Sequence, residues 1–198
     1  MAALAEEQLA SPEGVAPYSA FVEAIEALTR SYPLPRPARL LDFGCGVGHY
    51  SELIERHFPD RFVYTGCDYS ESMIAAARDR WPGREFLVND VLANILDLGS
   101  YDVILAGALV DVLDEWERAL DVLLGSGAHY VLLHRQQLVE NGSSRVEVVG
   151  GYEGQTTYRT YLSRDALGAI AARYDYELAD EIEVDGPIRT FLFRRVGA

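Results

Sequence analysis

The sequence predicts an α/β fold, in which a doubly wound and mostly parallel sheet of seven strands has helices on both faces and an antiparallel strand at its C-terminal end. Short apolar segments alternate with segments of helical periodicity between residues 39 and 133. A glycine-rich loop follows the first of these apolar segments. The chain closes with two strand-like runs joined by Asp185-Gly186-Pro187, which is typical of an antiparallel pair.

The individual elements are read from periodicity and from capping residues. Ser70, Asp114 and Ser163 are the expected caps of three helices. A short helix or turn is expected near residues 92 to 96. The predicted helices cover residues 18–30, 50–58, 71–81, 115–124 and 164–174. The predicted strands cover residues 39–43, 61–67, 85–88, 101–106, 129–133, 176–184 and 188–194.

The length of 198 residues favours a single domain over residues 1–198. Residues 1–17 are expected to be a loose N-terminus, and residues 18–35 an N-terminal helix with a proline-rich linker. Residues 136–160 contain glycines between Val-rich and Thr-rich runs, which predicts a hairpin or cap inserted into the sheet.

Composition excludes several classes of function. The formal net charge is -14, so nucleic acid is an unexpected partner. The chain has no lysine, which excludes a Walker-type phosphate loop and a Schiff base on lysine. Its two cysteines are expected to be reduced, and its four histidines suggest no metal site. No apolar run approaches the length of a membrane span and the N-terminus does not resemble a signal peptide, so a cytoplasmic protein is expected.

The segment LLDFGCGVGHY, residues 40–50, predicts a ligand site because it joins a strand, a glycine turn and a helix. A dinucleotide loop has the pattern G-x-G-x-x-G. Gly44 and Gly46 fit its first two positions, but the third falls on His49. Asp42 would also repel a pyrophosphate. The loop therefore favours a ligand that carries positive charge.

The pattern acid-x-Gly-x-Gly-x-Gly, formed here by Asp42, Gly44, Gly46 and Gly48, resembles the first motif of the class I S-adenosylmethionine-dependent methyltransferases. The resemblance extends over roughly residues 18 to 195 and implies the Rossmann-like fold of that family. It also implies S-adenosyl-L-methionine as the cofactor, with Cys45 in the loop that binds it.

The resemblance assigns the other end of the cofactor to two later strands. In the family, an acid after the second strand accepts from both ribose hydroxyls, and Asp68 stands there, twenty residues beyond Gly48. The alternative for Asp68 is a structural Asx turn. Tyr69 and Met73 would flank the adenine.

After the third strand, Asp90 would accept from the adenine amino group, with Asn89 and the backbone of Val91 beside the ring. Ala106 and Gly107, after the fourth strand, would line the methionine end.

The residues for the acceptor are less defined by the pattern. His134, at the end of the fifth predicted strand, is the candidate proton acceptor, although a structural histidine is the alternative. Tyr18, Asp111 and Arg135 are candidate substrate-binding residues. Methyl transfer from a sulfonium depends mainly on alignment, so a base is needed only if the acceptor must lose a proton.

The resulting hypothesis is a methyltransferase that transfers a methyl group from S-adenosylmethionine to an O, N or C atom of a small molecule, as a monomer or homodimer. A catalytically silent cofactor-binding or assembly module of the same fold is the alternative. An NAD-dependent oxidoreductase is a third reading, disfavoured by Asp42 and Gly48.

Overall fold

A computed structural model describes residues 16–93, 95–139, 141–149 and 156–197 of the chain. Most of the predicted loose N-terminus, residues 1–15, and the centre of the predicted cap, residues 150–155, lie outside the described residues.

Five helices and nine strands make up the described part of the chain. The helices are α1 (Ala16–Ser31), α2 (His49–His57), α3 (Glu71–Arg80), α4 (Trp116–Leu124) and α5 (Arg164–Arg173). The strands are β1 (Ala38–Phe43), β2 (Phe62–Asp68), β3 (Glu85–Val88), β4 (Val103–Gly107), β5 (Tyr130–Leu138), β6 (Arg145–Val149), β7 (Thr157–Leu162), β8 (Tyr176–Asp185) and β9 (Ile188–Arg195). Two single 3₁₀ turns cover Leu98–Ser100 and Val110–Val112.

The strands form one mixed sheet in the order β3-β2-β1-β4-β5-β7-β6, with β9 paired to β5 and β8 paired to β9. The five strands from β3 to β5 are parallel, and β9 is antiparallel to β5. The strand order reverses beside β1, between β2 and β4. Ligands bind at such a switch point in doubly wound sheets, outside the carboxyl ends of the strands.

Apolar side chains cover both faces of this sheet. On one face, α4 buries Trp116, Ala119, Leu120 and Leu123, the spacing expected of an amphipathic helix. These side chains pack in one cluster with α5 and the 3₁₀ turn Val110–Val112. On the other face, α1 and α2 cover β1, β4 and β5. The doubly wound fold is therefore confirmed.

The predicted caps are confirmed at two helices and wrong at one. Ser70 accepts a hydrogen bond from the Met73 N–H, and Ser163 accepts one from the Ala166 N–H. Helix α4 begins one residue later than expected, with Glu115 at the cap position and no side-chain cap bond. Asp114 instead accepts from the N–H of Glu115.

Three further details differ from the sequence prediction. The described sheet has nine strands rather than seven, because the predicted cap folds as the β6–β7 hairpin and β7 pairs in parallel with the end of β5. Strand β5 continues five residues past the expected end, to Leu138. The turn expected near residues 92–96 is present at residues 92 and 93, and the 3₁₀ turn Leu98–Ser100, which the sequence did not predict, follows it.

No helix within the described ranges is both long enough and apolar enough to cross a bilayer.

Close packing between β2 and β3 makes Gly66 a test of the fold. A Cβ at Gly66 would lie 2.7 Å from the Phe86 ring, so we expect Gly66→Ala to lower the free energy of unfolding by about 1–3 kcal/mol. The matched control is Gly168→Ala in α5, where a Cβ would meet nothing within 4 Å, and it should stabilise by about 0.5–1 kcal/mol. Urea denaturation measures both, and equal effects would contradict this packing.

Candidate active site

The glycine loop after β1 is held in shape by left-handed backbone. Gly44, Gly46 and Gly48 have φ values of 78°, 52° and 78°, which residues other than glycine rarely adopt. Gly44 also lies close to Leu109, because a Cβ there would be 2.9 Å from the Leu109 side chain. The N–H groups of Gly44 and Cys45 both donate to the carbonyl of Cys67, which ties the loop to the end of β2.

Asp68, at the end of β2, bridges two loops with its carboxylate. One oxygen accepts from the Gly46 N–H at 3.0 Å, and the other accepts from the Ser70 N–H at 2.9 Å. The second bond is the Asx turn that the sequence left as an alternative. A carboxylate has about four acceptor sites, so each oxygen of Asp68 keeps one for a ligand. The structural role and the predicted ligand role are therefore compatible.

Asp42, at the end of β1, is a fully buried carboxyl group with no cationic partner among the described residues. The Tyr64 hydroxyl donates to its Oδ2 at 2.6 Å, and Oδ1 has no partner in the described part of the chain. Burial raises the pKa of Asp42 to about 7, and the nearby Asp68 acts in the same direction against the Tyr64 hydrogen bond. A cation placed beside Asp42 would stabilise the ionised carboxylate and offset the cost of burying its charge.

The two cysteines flank this carboxyl and are free thiols. Both are buried, and burial raises the pKa of both the Cys45 and the Cys67 thiol. They therefore act as packing groups rather than as nucleophiles.

A cavity of about 380 Å³ opens beside the glycine loop. Six predicted cofactor residues lie on its wall: Gly44, Asp68, Tyr69, Asn89, Asp90 and Val91. The far wall is built from the loop after β4 and the start of β7, namely Leu109, Val112, Leu113, Asp114, Thr156, Thr157 and Tyr158. Met73 is outside this lining and half-exposed in the first turn of α3, so the structure does not bring it to the cavity.

The residues after β3 have distinct roles in the cavity wall. The backbone N–H of Asn89 donates to the Asp68 carbonyl at 2.9 Å, and its buried side chain accepts from the Ile95 N–H. Asp90 is exposed and accepts from the Leu92 N–H at 2.9 Å, while Val91 is buried. Asp90 thus presents a carboxylate at the rim, on an Asx turn that fixes its orientation.

The end of β4 packs against Tyr50 from α2. Ala106 is fully buried, and a Cβ on Gly107 would lie 2.4 Å from the Tyr50 ring, so only glycine fits there. Tyr50 also contacts Phe21 and His134, with ring centroids 4.6 and 5.5 Å away. This aromatic cluster closes the sheet side of the site.

The environment of His134 argues against a proton-accepting role. Its side chain is fully buried, and Nδ1 shares a 2.7 Å hydrogen bond with the Thr190 hydroxyl. Nε2 has no hydrogen-bond partner among the described residues. Burial and the neighbouring Arg135 lower the pKa of His134 to about 3, against an opposing effect of the Pro17 backbone. His134 is therefore a neutral packing residue beneath the site, which was the alternative in the sequence prediction.

The three residues predicted to bind the substrate, Tyr18, Asp111 and Arg135, lie in this same region. Tyr18, Arg135 and Asp42 all influence the ionisation of Tyr50, whose pKa is raised mainly by burial. Burial raises the pKa of Asp111 to about 6, and the positive charge of Arg135 acts in the opposite direction. The Asp111 Oδ1 atom is buried and makes no hydrogen bond within the described ranges. Three elements thus bring these residues together.

The sequence did not predict the side chains that pack against Asp42 and the glycine loop. Tyr64 and Tyr50 carry no motif, although the parallel register places Tyr64 beside Leu40 and hence near Asp42. The Trp81 indole N–H donates to the Val47 carbonyl, and the Ser51 hydroxyl donates to the Gly48 carbonyl. These bonds brace the glycine loop from a larger groove of about 690 Å³ that contains none of the predicted site residues.

The described residues contain no group of three or more His, Cys, Asp or Glu side chains arranged to hold a metal ion.

The raised pKa of Asp42 generates a prediction about stability. The folded state holds this proton more tightly than the unfolded chain, whose ordinary value is 3.8. The resulting stabilisation is present below about pH 4 and is lost as the pH rises through about 7. We therefore expect Asp42→Asn to raise the free energy of unfolding at pH 8 by roughly 2–4 kcal/mol, and to change it little at pH 4.

Urea denaturation at both pH values measures this difference, with the exposed Asp79→Asn in α3 as the matched control. The raised pKa of Asp111 makes stability depend on pH in the same direction but more weakly, and both variants keep this contribution. Equal pH dependence in wild type and Asp42→Asn would contradict the assignment.

Part of the chain is similar in sequence to known methyltransferases. Residues 41–126 match the model of the family described as a methyltransferase domain. The chain is 36% identical over 103 residues to a trans-aconitate 2-methyltransferase of Variovorax paradoxus (strain S110), and 33% identical over 99 residues to one of Rhodopseudomonas palustris (strain BisB18). These matches cover 52% and 50% of this chain but only 39% and 38% of the relatives.

Solved structures resemble the whole fold. The amino pentose methyltransferase CalS10 of Micromonospora echinaspora, with bound S-adenosylmethionine, superposes with a TM-score of 0.65 at 20% identity and covers 89% of both chains. An S-adenosylmethionine-dependent methyltransferase of Mesorhizobium loti gives a TM-score of 0.66 at 14% identity and covers 92% of this chain and 99% of its own. The resemblance to the class I S-adenosylmethionine-dependent methyltransferases is therefore confirmed, in the sequence of residues 41–126 and in the fold of the chain.

Proposed function

We propose that this protein transfers a methyl group from S-adenosyl-L-methionine to a small-molecule acceptor. The observation that carries the proposal is the buried carboxyl of Asp42, which has one unpartnered oxygen and lies at the base of the glycine loop. An anionic pyrophosphate would meet this group as a like charge, whereas the ammonium group of a methionine moiety would offset its burial.

The remaining residues around the cavity fit the same ligand. Asp68 and Asp90 place carboxylates at the ends of β2 and β3, where a ribose diol and an exocyclic amine would find acceptors. Tyr69, 71% exposed at the cavity rim, supplies an aromatic ring for an adenine base. Met73 lies in the first turn of α3 and outside the lining of this cavity, so we omit it from the proposed cofactor residues.

S-adenosylmethionine supplies an already activated methyl group on a sulfonium. The chain must then align the acceptor and exclude water. The close-packed residues at the end of β4, with Ala106 and the Tyr50–Phe21–His134 cluster, suit that purpose. Because His134 is buried and hydrogen-bonded to Thr190, we do not include a histidine base in the proposal.

The names of the curated relatives make trans-aconitate the first acceptor to test. Nucleic acid remains an unexpected acceptor, because 31 acidic residues outnumber 17 basic ones. A cytoplasmic location and a monomeric or homodimeric state complete the proposal.

Calorimetric titration with S-adenosylmethionine, S-adenosylhomocysteine and NAD tests the proposed cofactor. We expect both adenosyl ligands to bind and NAD not to bind, because Asp42 disfavours a pyrophosphate. Binding of NAD alone would overturn the proposal in favour of an oxidoreductase. Binding of S-adenosylmethionine without turnover of any acceptor would favour the silent module.

A variant at Asp68 tests the ribose end of the site. Asp68→Asn keeps an oxygen for one backbone N–H but removes the charge, and we expect S-adenosylmethionine to bind about 10- to 100-fold more weakly. The control is Asp121→Asn on α4, whose carboxylate pairs with Arg173 on the surface. An unchanged dissociation constant in Asp68→Asn, at an unchanged melting temperature, would show that the ribose acid is misassigned.

A further inference from the structure

Strand β5 carries one extra residue beside the proposed active site. Its pairing with β9 runs from Leu133 opposite Phe191 to Gln136 opposite Arg189, so three steps along β5 match two along β9. Arg135 lies in this bulge and has a left-handed backbone, with φ of 64°. Bulges re-aim side chains next to active sites, and left-handed backbone at a residue other than glycine is strained. A strained residue in a bulge beside a candidate active site is a candidate for a functional role, and among the described non-glycine residues at positive φ, Arg135 is the one that carries a positive charge.

The bulge lies at the carboxyl end of the central strands. His134 pairs with Gly107 at the end of β4, and its carbonyl accepts from the N–H of Ala108 at 2.9 Å. Arg135 therefore follows directly after the last residue of β5 that pairs with β4, level with the carboxyl end of β4. This is the edge of a doubly wound sheet at which ligands bind.

The guanidinium of Arg135 is half-buried among groups from other elements. It lies close enough to Tyr50, Asp111 and His134 to affect the pKa of each of them. No carboxylate in the described part of the chain lies within ion-pair distance of it. In a chain with a net charge of -14, an arginine without an ion-pair partner in the described part of the chain is suited to an anion that comes from outside.

Two further features favour a carboxylate over an amine. A protonated amine would meet Arg135 as a like charge. The buried His134 offers no accessible base that would deprotonate such an amine. Asp111 is the one other candidate base named in this region: burial raises its pKa to about 6, against the opposing effect of Arg135 and Arg159, so the test below includes it.

We infer that the acceptor is a small carboxylate and that the bulged Arg135 is the residue that binds it. The inference rests on the proposed function, and it deepens that function by naming the class of acceptor and the residue that selects it. The planar guanidinium is suited to grip a carboxylate through two parallel hydrogen bonds.

The test separates this inference from the proposed function. Titration with S-adenosylhomocysteine first establishes that wild type and variants bind the cofactor product equally; failure of wild type to bind it would overturn the proposed function itself. The complexes are then titrated with trans-aconitate, succinate and benzoate, and with the neutral methyl esters of the same acids.

We expect Arg135→Gly to weaken carboxylate binding about 10- to 100-fold, and Arg135→Lys to weaken it less, because lysine keeps the charge without the planar fork. The neutral esters should bind weakly to wild type and Arg135→Gly alike. Arg173→Gln, which removes a surface guanidinium paired with Asp121, is the matched control and should bind as wild type. The melting temperature of Arg135→Gly should not fall, because glycine adopts a φ of 64° without strain.

Two results would overturn the inference in a protein that binds S-adenosylhomocysteine. One is that none of the carboxylates binds, or that they bind Arg135→Gly as tightly as wild type. The other is methylation of an amine that survives Arg135→Gly and is lost in Asp111→Asn, which would identify Asp111 as the base of an amine methyltransferase.

Discussion

The buried carboxyl of Asp42 sets the constraint on which the rest of the site depends. It is held at the end of β1 by one hydrogen bond from Tyr64 and has no cation beside it in the described part of the chain. A buried carboxyl in this state is costly once ionised, and its pKa is raised accordingly. The proposed positively charged cofactor would offset this cost.

The parts around Asp42 hold the ligand loop in a fixed position. Asp68 links Gly46 to Ser70, the Cys67 carbonyl accepts from two loop N–H groups, and Trp81 ties Val47 from behind. Rigid placement of this kind reduces the entropy lost on binding. The same logic applies at β5, where a strained bulge presents Arg135 and the ladder to β9 continues on both sides of it.

The sequence was sufficient for the order of most elements and for bringing Gly44, Asp68 and Asp90 to the wall of one cavity. The three glycines at alternate positions and the acids at the ends of β1, β2 and β3 are local patterns, and alternation of strands and helices determines that such positions meet at one edge. The prediction failed where contacts with residues distant in the sequence determine the environment of a side chain. His134 has the chemistry of a base, but Phe21, Tyr50 and Thr190 bury it. The bulge at Arg135 has no sequence signature, because an arginine is not expected at positive φ.

The central claim, that the Asp42 carboxyl is reserved for a cationic cofactor, is tested most directly by the protons exchanged on binding. A cation beside Asp42 favours its ionised form, so binding must release a proton near the pKa of about 7. Calorimetry of S-adenosylmethionine binding near neutral pH, in buffers of different ionisation enthalpy, counts that proton. The account predicts proton release in wild type and a clearly smaller release in Asp42→Asn. Equal proton exchange in the two proteins would contradict it.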